Sequence, residues 1–239
     1  MNILSLDFET SWTTPVNPKQ CRIFEIGAVL YDWEKRIPIK MMSEFIHESD
    51  HPLSPKELID LTGITDEMKA EWGIPLKSGI SLLNDMVEKA DYIIAHNGNE
   101  FDRPLLYAET ERIGAKVADK PWIDSKVDID YPPKVKSRSL SQLCTEHRFL
   151  NPFAHRALFD ALSVIEILKH YRIDDVIESS KQPNCRVIAS VSFDKKHLAK
   201  DRGYHWDGDN KVWWKGMKSS KAQKEKEDAP FAVQIREVE

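Results

Sequence analysis

An α/β fold with a mixed sheet is predicted by three features of the chain. The opening run, Asn2-Ile3-Leu4-Ser5-Leu6-Asp7-Phe8-Glu9-Thr10, is short and apolar, as a strand buried inside a sheet is. Two more strand-like runs follow before any long helical pattern, which makes an antiparallel meander. After them, short apolar strands alternate with helical periodicities, the order that builds an α/β sheet flanked by helices. A separate aromatic-rich stretch towards the C-terminus predicts a second, small α+β module.

The elements follow in order. Ser11 to Arg22 carries two prolines and reads as a loop. Phe24 to Asp32 and Ile39 to Ile46 read as the second and third strands. Ser54-Pro55-Lys56-Glu57 is a helix start, with Ser54 as cap, Pro55 at the first helical position and Glu57 three residues on. Thr62-Gly63 ends that helix. Ser78 to Ala90 places Ile80, Leu83, Met86 and Val87 at helical spacing. Tyr92 to Ala95 is a short buried strand, His96 to Glu100 a turn, and Phe101 to Ile113 a helix. Trp122-Ile123-Asp124 is another strand, followed by a polar, basic stretch. Ser139 to His147 is a helix capped by Ser139, and Arg156 to Tyr171 is a strongly periodic helix.

Residues 1–173 therefore form one domain. Residues 174–184 lose apolar periodicity and read as a linker, and residues 185–217 form the small module, with a strand at Val187 to Ser192, a helix at Asp194 to Asp201 and a hairpin across Tyr204 to Trp214. Residues 218–239 begin with a Lys/Glu-rich run and read as a charged, flexible tail, ending in a short strand or docking peptide at Phe231 to Ile235.

The 239 residues are 41% hydrophobic and 31% charged, which suits a soluble globular chain with a substantial core. No apolar run is long enough to span a membrane, and the N-terminus has no secretory pattern. The three cysteines, Cys21, Cys144 and Cys185, are too few and too scattered for a disulfide framework, so a reducing, cytoplasmic setting is expected. Charge is uneven. Residues 1–180 hold 30 Asp+Glu against 21 Lys+Arg, whereas residues 181–239 hold 9 against 13. A basic second part suits contact with a polyanion or simple solubility.

Chemistry concentrates at element boundaries. Asp7 and Glu9 lie two apart on a strand and so project from one face. Their bland reading is a strand end dipping into solvent. Asp102 stands where a buried strand turns into a helix, and Asp160 stands between Phe159 and Ala161, five residues after His155. Acids are seldom buried without a partner or a metal. Four carboxylates meeting at strand ends would repel strongly, and divalent cations relieve that repulsion.

The ordered set Asp7-Phe8-Glu9-Thr10, Asn97 to Asp102 and His155 to Asp160 resembles the three motifs of the DEDDh, or DnaQ-like, 3′–5′ exonucleases. Ala95-His96-Asn97, Lys120-Pro121-Trp122-Ile123 and His155-Arg156-Ala157-Leu158 look closest to the bacterial exonuclease X branch. The resemblance covers roughly residues 1–172 and extends to Leu61-Thr62-Gly63-Ile64-Thr65, similar to a substrate-facing turn of the family. It implies a ribonuclease H-like mixed sheet. One departure is a residue more between Asn97 and Phe101-Asp102 than the polymerase proofreading members carry, so a bulge is expected in that turn.

The resemblance also implies roles. Asp7 would bridge two divalent ions, Mg²⁺ or Mn²⁺, Glu9 and Asp160 would bind the first, and Asp102 the second. His155 would be the general base, its alternative being a His that merely caps the helix. Thr10 is expected near the terminal 3′-OH, and His96 and Asn97 line the strand's path or satisfy their own turn. Lys134, Lys136 and Arg138 form a basic patch that tracks phosphates or is simply solvated. The implied activity is removal of nucleoside 5′-monophosphates from 3′ ends of single-stranded or frayed DNA in a bacterial or phage-infected cytoplasm. The alternatives are RNA trimming by the same site, or a non-catalytic nucleic-acid adaptor.

In the C-terminal module, aromatics interleave with lysines and arginines. That composition suits single-stranded nucleic acid, yet so small a module needs large side chains for its core, and most of its tryptophans read as core. With its Gly-x-x-Trp-Asp…Trp pattern, Gly203, Trp206 and Asp207 followed by Trp213, the module resembles accessory pieces fused to phage- and plasmid-type DNA-processing enzymes, and a replication or repair protein is a further candidate partner for it.

Overall fold

The computed structural model describes residues 1–11, 17–132, 135, 137–208 and 210–238. The chain divides into two compact units, Met1–Ile173 and Asp174–Glu239.

In the first unit a five-stranded sheet is built from β1 (Asn2–Thr10), β2 (Ile23–Asp32), β3 (Ile37–Phe45), β4 (Tyr92–Ala95) and β5 (Trp122–Asp124), in the order β3-β2-β1-β4-β5. β1 pairs antiparallel with β2 and β2 with β3, while β4 and β5 continue parallel to β1. The expected mixed sheet is present, and its order puts β1 at the centre. Ile3, Leu4 and Leu6 are accordingly buried. The helices are α1 (Lys56–Thr62), α2 (Asp66–Trp72), α3 (Leu76–Val87), α4 (Asp102–Arg112), α5 (Leu140–Glu146) and α6 (Ala157–Leu168). Leu76, Ile80, Leu83, Met86 and Val87 of α3 join Leu4, Leu6, Ile26 and Leu105 in one core, the outcome their helical spacing predicts.

Two local readings differ. Pro55, not Ser54, takes the cap position of α1, because the Ser54 amide and hydroxyl donate to Asp66 at 3.1 Å. α2 has no counterpart in the sequence reading. Its face is mostly charged, and it starts because the Thr65 hydroxyl accepts from the Met68 amide.

In the second unit, α7 (Ile173–Ser180) occupies most of the expected linker and buries Val176 and Ile177. Ile173, Val176 and Ile177 do have helical spacing, but the run is too short for periodicity to stand out. A four-stranded antiparallel sheet follows, from β6 (Asn184–Ser190), β7 (His205–Asp207), β8 (Val212–Lys218) and β9 (Ala232–Val238), in the order β7-β8-β6-β9. α8 (Lys196–Asp201) and α9 (Ser219–Asp228) complete it. The expected flexible tail is thus α9 and β9. The latter pairs with β6 along its whole length, and α9 is held by Glu225, which accepts from Arg202 at 2.9 Å and faces Lys215 at 3.1 Å. Among the described residues, no helix is long and apolar enough to cross a membrane.

Candidate active site

β1 runs past the ends of its parallel neighbour β4, which pairs with it only from Ile3 to Ser5. The overhanging end carries Asp7 and Glu9 on one face. On the antiparallel side Asp7 stands opposite Gly27 and Glu9 opposite Glu25. That pairing positions α6. Glu25 is fully buried and accepts from the Arg156 guanidinium at 2.9 and 3.0 Å, from the Ala157 amide at 3.2 Å and from the Ser43 hydroxyl at 3.0 Å. A strand carboxylate thereby supplies the cap that α6 lacks in its own sequence. Gly27 admits the helix backbone, since a Cβ there would lie 2.0 Å from the Ala157 carbonyl carbon.

α6 so placed brings Asp160 to the end of β1. Its carboxylate accepts from the Asn151 side chain at 2.6 Å and from the His155 amide at 3.1 Å. His155 has a left-handed backbone (φ 62°) and an exposed side chain, an uncommon conformation that sites of chemistry tolerate when the surroundings enforce it. Glu9, His155 and Asp160 offer ligand atoms that all lie within 4.8 Å of one another.

Asp102 arrives from the opposite side. It is the first residue of α4 and is buried. The preceding turn is closed by Asn97 in the left-handed region (φ 67°), whose carbonyl accepts from the Phe101 amide at 3.1 Å. Asp124, buried at the end of β5, accepts from the amides of Asn97, Asn99 and Lys126 at 3.0, 3.2 and 2.9 Å.

The charges of the cluster are strained. Asp7 is held well above the usual carboxylate range by burial first, then by Asp102, Glu9, Asp160 and Glu25. Glu9 is pushed up to about 8 by burial, Asp160, Glu25 and Asp102, with Arg156 opposing. Asp102 is pushed up to about 7, mainly by burial. Burial also raises Asp160, against the His155 and Asn151 hydrogen bonds. Oxygen donors that repel one another in a cluster largely withdrawn from water fit a hard divalent cation.

The softer candidates separate. Thr10 is buried beside a register shift in β1. His96 has both ring nitrogens engaged, with the Ser125 hydroxyl at 2.9 Å and the Arg138 carbonyl at 2.8 Å, and burial pushes its pKa down to about 4. The Asn97 side-chain oxygen accepts from Lys126 at 2.9 Å. Arg138 is exposed and donates to the Lys126 carbonyl at 3.0 Å, while Lys134 and Lys136 lie outside the described residues. Leu61 and Thr62 end α1, and Gly63, at φ 73°, leads through Ile64 and Thr65 into α2. Sequence reasoning missed Glu25, Asn151, Arg156 and Asp124. The available signal was an acid inside an apolar strand at Glu25 and at Asp124.

The sequence model of an exonuclease family (RNase_T) matches residues 4–168, most of the first unit. The chain belongs to this family. A second model, described as a domain of unknown function (DUF8626), matches residues 186–235. Among curated proteins, the chain is similar to a PolC-type DNA polymerase III of Mycoplasma genitalium, at 30% identity over 142 residues that cover 56% of this chain. The chain spans about one tenth of the length of the curated relatives it matches. Among solved structures it is similar to the nuclease domain of 3′hExo, a DEDDh family member bound to rAMP. That likeness has TM-score 0.58 and 15% identity, and covers 71% of this chain and 90% of that one. It is also similar to an Escherichia coli ExoI–ssDNA complex, with TM-score 0.64 and 17% identity over 79% of this chain and 48% of the other. The chain thus has the ribonuclease H-like fold with an added C-terminal antiparallel sheet module.

Proposed function

We propose that this exonuclease removes nucleoside 5′-monophosphates from the 3′ ends of single-stranded or frayed DNA, using Asp7, Glu9, Asp102, Asp160 and His155. The observation that carries this reading is the meeting of four carboxyls from β1, α4 and α6, Asp102 buried and Asp7, Glu9 and Asp160 half-buried, beside one exposed imidazole. Two divalent ions, Mg²⁺ or Mn²⁺, held by the four carboxylates would supply charge neutralisation at the scissile phosphate and acidification of the attacking water. His155 reaches solvent next to Glu9 and Asp160, so its imidazole is placed to take the water's proton. Asp160 fixes the backbone of His155 through its amide, which sets where that base stands. Glu25 and Arg156 hold the helix start that carries both.

DNA is preferred to RNA because the curated relatives are DNA polymerases, although 3′hExo was solved with rAMP. A 5′-labelled oligonucleotide incubated with Mg²⁺ tests the reading. The expected result is a ladder of shortening labelled products on DNA. Asp102→Ala should remove the ladder, a loss of at least about a thousandfold, while leaving the thermal midpoint near that of the unaltered chain or above it, since a carboxyl raised by burial is released from that strain. A ladder on RNA alone would move the substrate assignment, and an Asp102→Ala variant with normal activity would remove the site assignment.

A further inference from the structure

The four-stranded sheet of the second unit has two unlike faces. On one, Cys185, Val187, Ala189 and Trp213 form a core with Ala199 of α8 and Ala222 of α9. Alternate residues point the other way. The strand register sets His205, Trp214, Ile188 and Gln234 in one row across that second face. Gly216, Arg186 and Arg236 make the adjacent row. His205, Gln234, Gly216 and Arg236 are exposed, and Trp214, Arg186 and Ile188 are half-buried.

The chemistry of this face is specific. The Arg186 guanidinium lies over the Trp214 ring, 4.4 Å from its centroid, and donates to Asp207 at 2.6 Å. A planar cation is thereby held in place on an indole, ordered before any ligand arrives. Directly across the ladder, Gly216 leaves room beside it, since a Cβ there would meet nothing within 4 Å. Arg236 adds a second positive charge in the same row, and the Asp207 carboxylate is already taken by Arg186 and Asn210. The apolar side chains of this face make a small patch, Trp214 beside Ile188 with Val212 and Ala232 in the next row, bordered by His205, Gln234, Arg186 and Asp207. Such a face lacks the continuous apolar centre of a protein interface and has the stacking surface and cations that bases and phosphates need.

We propose that this sheet face binds single-stranded DNA, with a base stacked on the Arg186–Trp214 pair and a phosphate at Arg236. The choice of DNA rests on the exonuclease reading, whereas the stacking contact stands without it. The test uses the full chain in EDTA, so that no strand is cut, and fluorescence anisotropy with labelled oligo(dT). On an oligonucleotide of about twenty residues, Trp214→Ala and Arg236→Glu should each weaken binding by about five- to tenfold, and Trp214→Phe by less than about twofold. Each variant should cleave a p-nitrophenyl ester of thymidine monophosphate with Mg²⁺ as well as the unaltered chain does. Arg236 is exposed, so its variant remains informative if Trp214→Ala unfolds, which thermal melting reports. Unchanged oligo(dT) binding in Arg236→Glu and in a folded Trp214 variant would overturn the proposal. So would weakened binding of oligo(U) with oligo(dT) unaffected. An unaltered chain that fails to cleave the ester would overturn the exonuclease reading instead, and the EDTA binding data would still decide this one.

Discussion

Glu9 and Asp102 share a predicament: each is a carboxyl that burial and its neighbours push up to about 8 and about 7. In the metal-free chain, protons rather than cations therefore relieve the repulsion around Asp7. The unfolded chain keeps Glu near its ordinary value of 4.5, so between that value and about 8 the folded state binds more protons. Stability from these groups is full below the lower value and is lost as pH rises through 7 to 8. Thermal unfolding in EDTA should show the midpoint falling by about 5 °C from about pH 6 to about pH 9. Excess Mg²⁺ should restore most of that loss at the alkaline end, because a cation that binds only the folded state stabilises it. Metal entry must also displace protons, so apparent Mg²⁺ affinity should climb across the same window. A midpoint indifferent to both pH and Mg²⁺ would mean that these carboxyls are not the cation site.

The site depends on three element ends being brought to one place, and the residues that bring them are not those the motifs contain. Asp7 and Glu9 were legible because a strand's two-residue period puts them on one face, and Asp102 and Asp160 because acids in apolar surroundings at helix starts need a reason. What the chain did not disclose was the docking of α6 on β2, which rests on Glu25 and Gly27, far away in sequence from Arg156 and Ala157. A lone acid in an apolar strand has no visible partner until the strand order is known, and a Gly in a strand looks only like a weak point. The same holds for Asp124, whose three backbone contacts close the turn before Asp102. Glu25→Ala should therefore act on the element. It leaves the Arg156 guanidinium and the Ala157 amide without their carboxylate, at about 3 kcal/mol by analogy with broken buried pairs, and loosens the helix start bearing His155 and Asp160. We expect exonuclease turnover to fall about ten- to a hundredfold, with Mg²⁺ affinity falling too. A variant that melts and turns over like the unaltered chain would show that α6 is held by its packing alone.

Across the whole molecule, the two units carry separate cores and unequal charge, 21 Lys+Arg against 27 Asp+Glu in the first and 13 against 12 in the second. Leu4, Leu6, Ile26, Leu83 and Leu105 belong to the first core, and Cys185, Val187, Ala199, Trp213 and Ala222 to the second. The second unit was misjudged from sequence at both ends. α7 is too short for its periodicity to register, and a Lys/Glu-rich run has the composition of disorder even where Glu225 is tied by Arg202 and Lys215. β9, which supplies one of the sheet's four strands, follows that run and makes it part of the fold. All five proposed catalytic residues lie in the first unit, so a fragment of residues 1–181, which keeps α7 whole, should fold cooperatively and cleave a short ester at the rate of the full chain. Its binding of long single strands should weaken and become less salt-sensitive, since the more basic part has been removed. Ester hydrolysis and the salt dependence of oligonucleotide binding, measured on fragment and full chain together, separate these effects. If the fragment loses ester cleavage while remaining folded, the second unit contributes to the reaction itself and the division of labour drawn from the two cores is wrong.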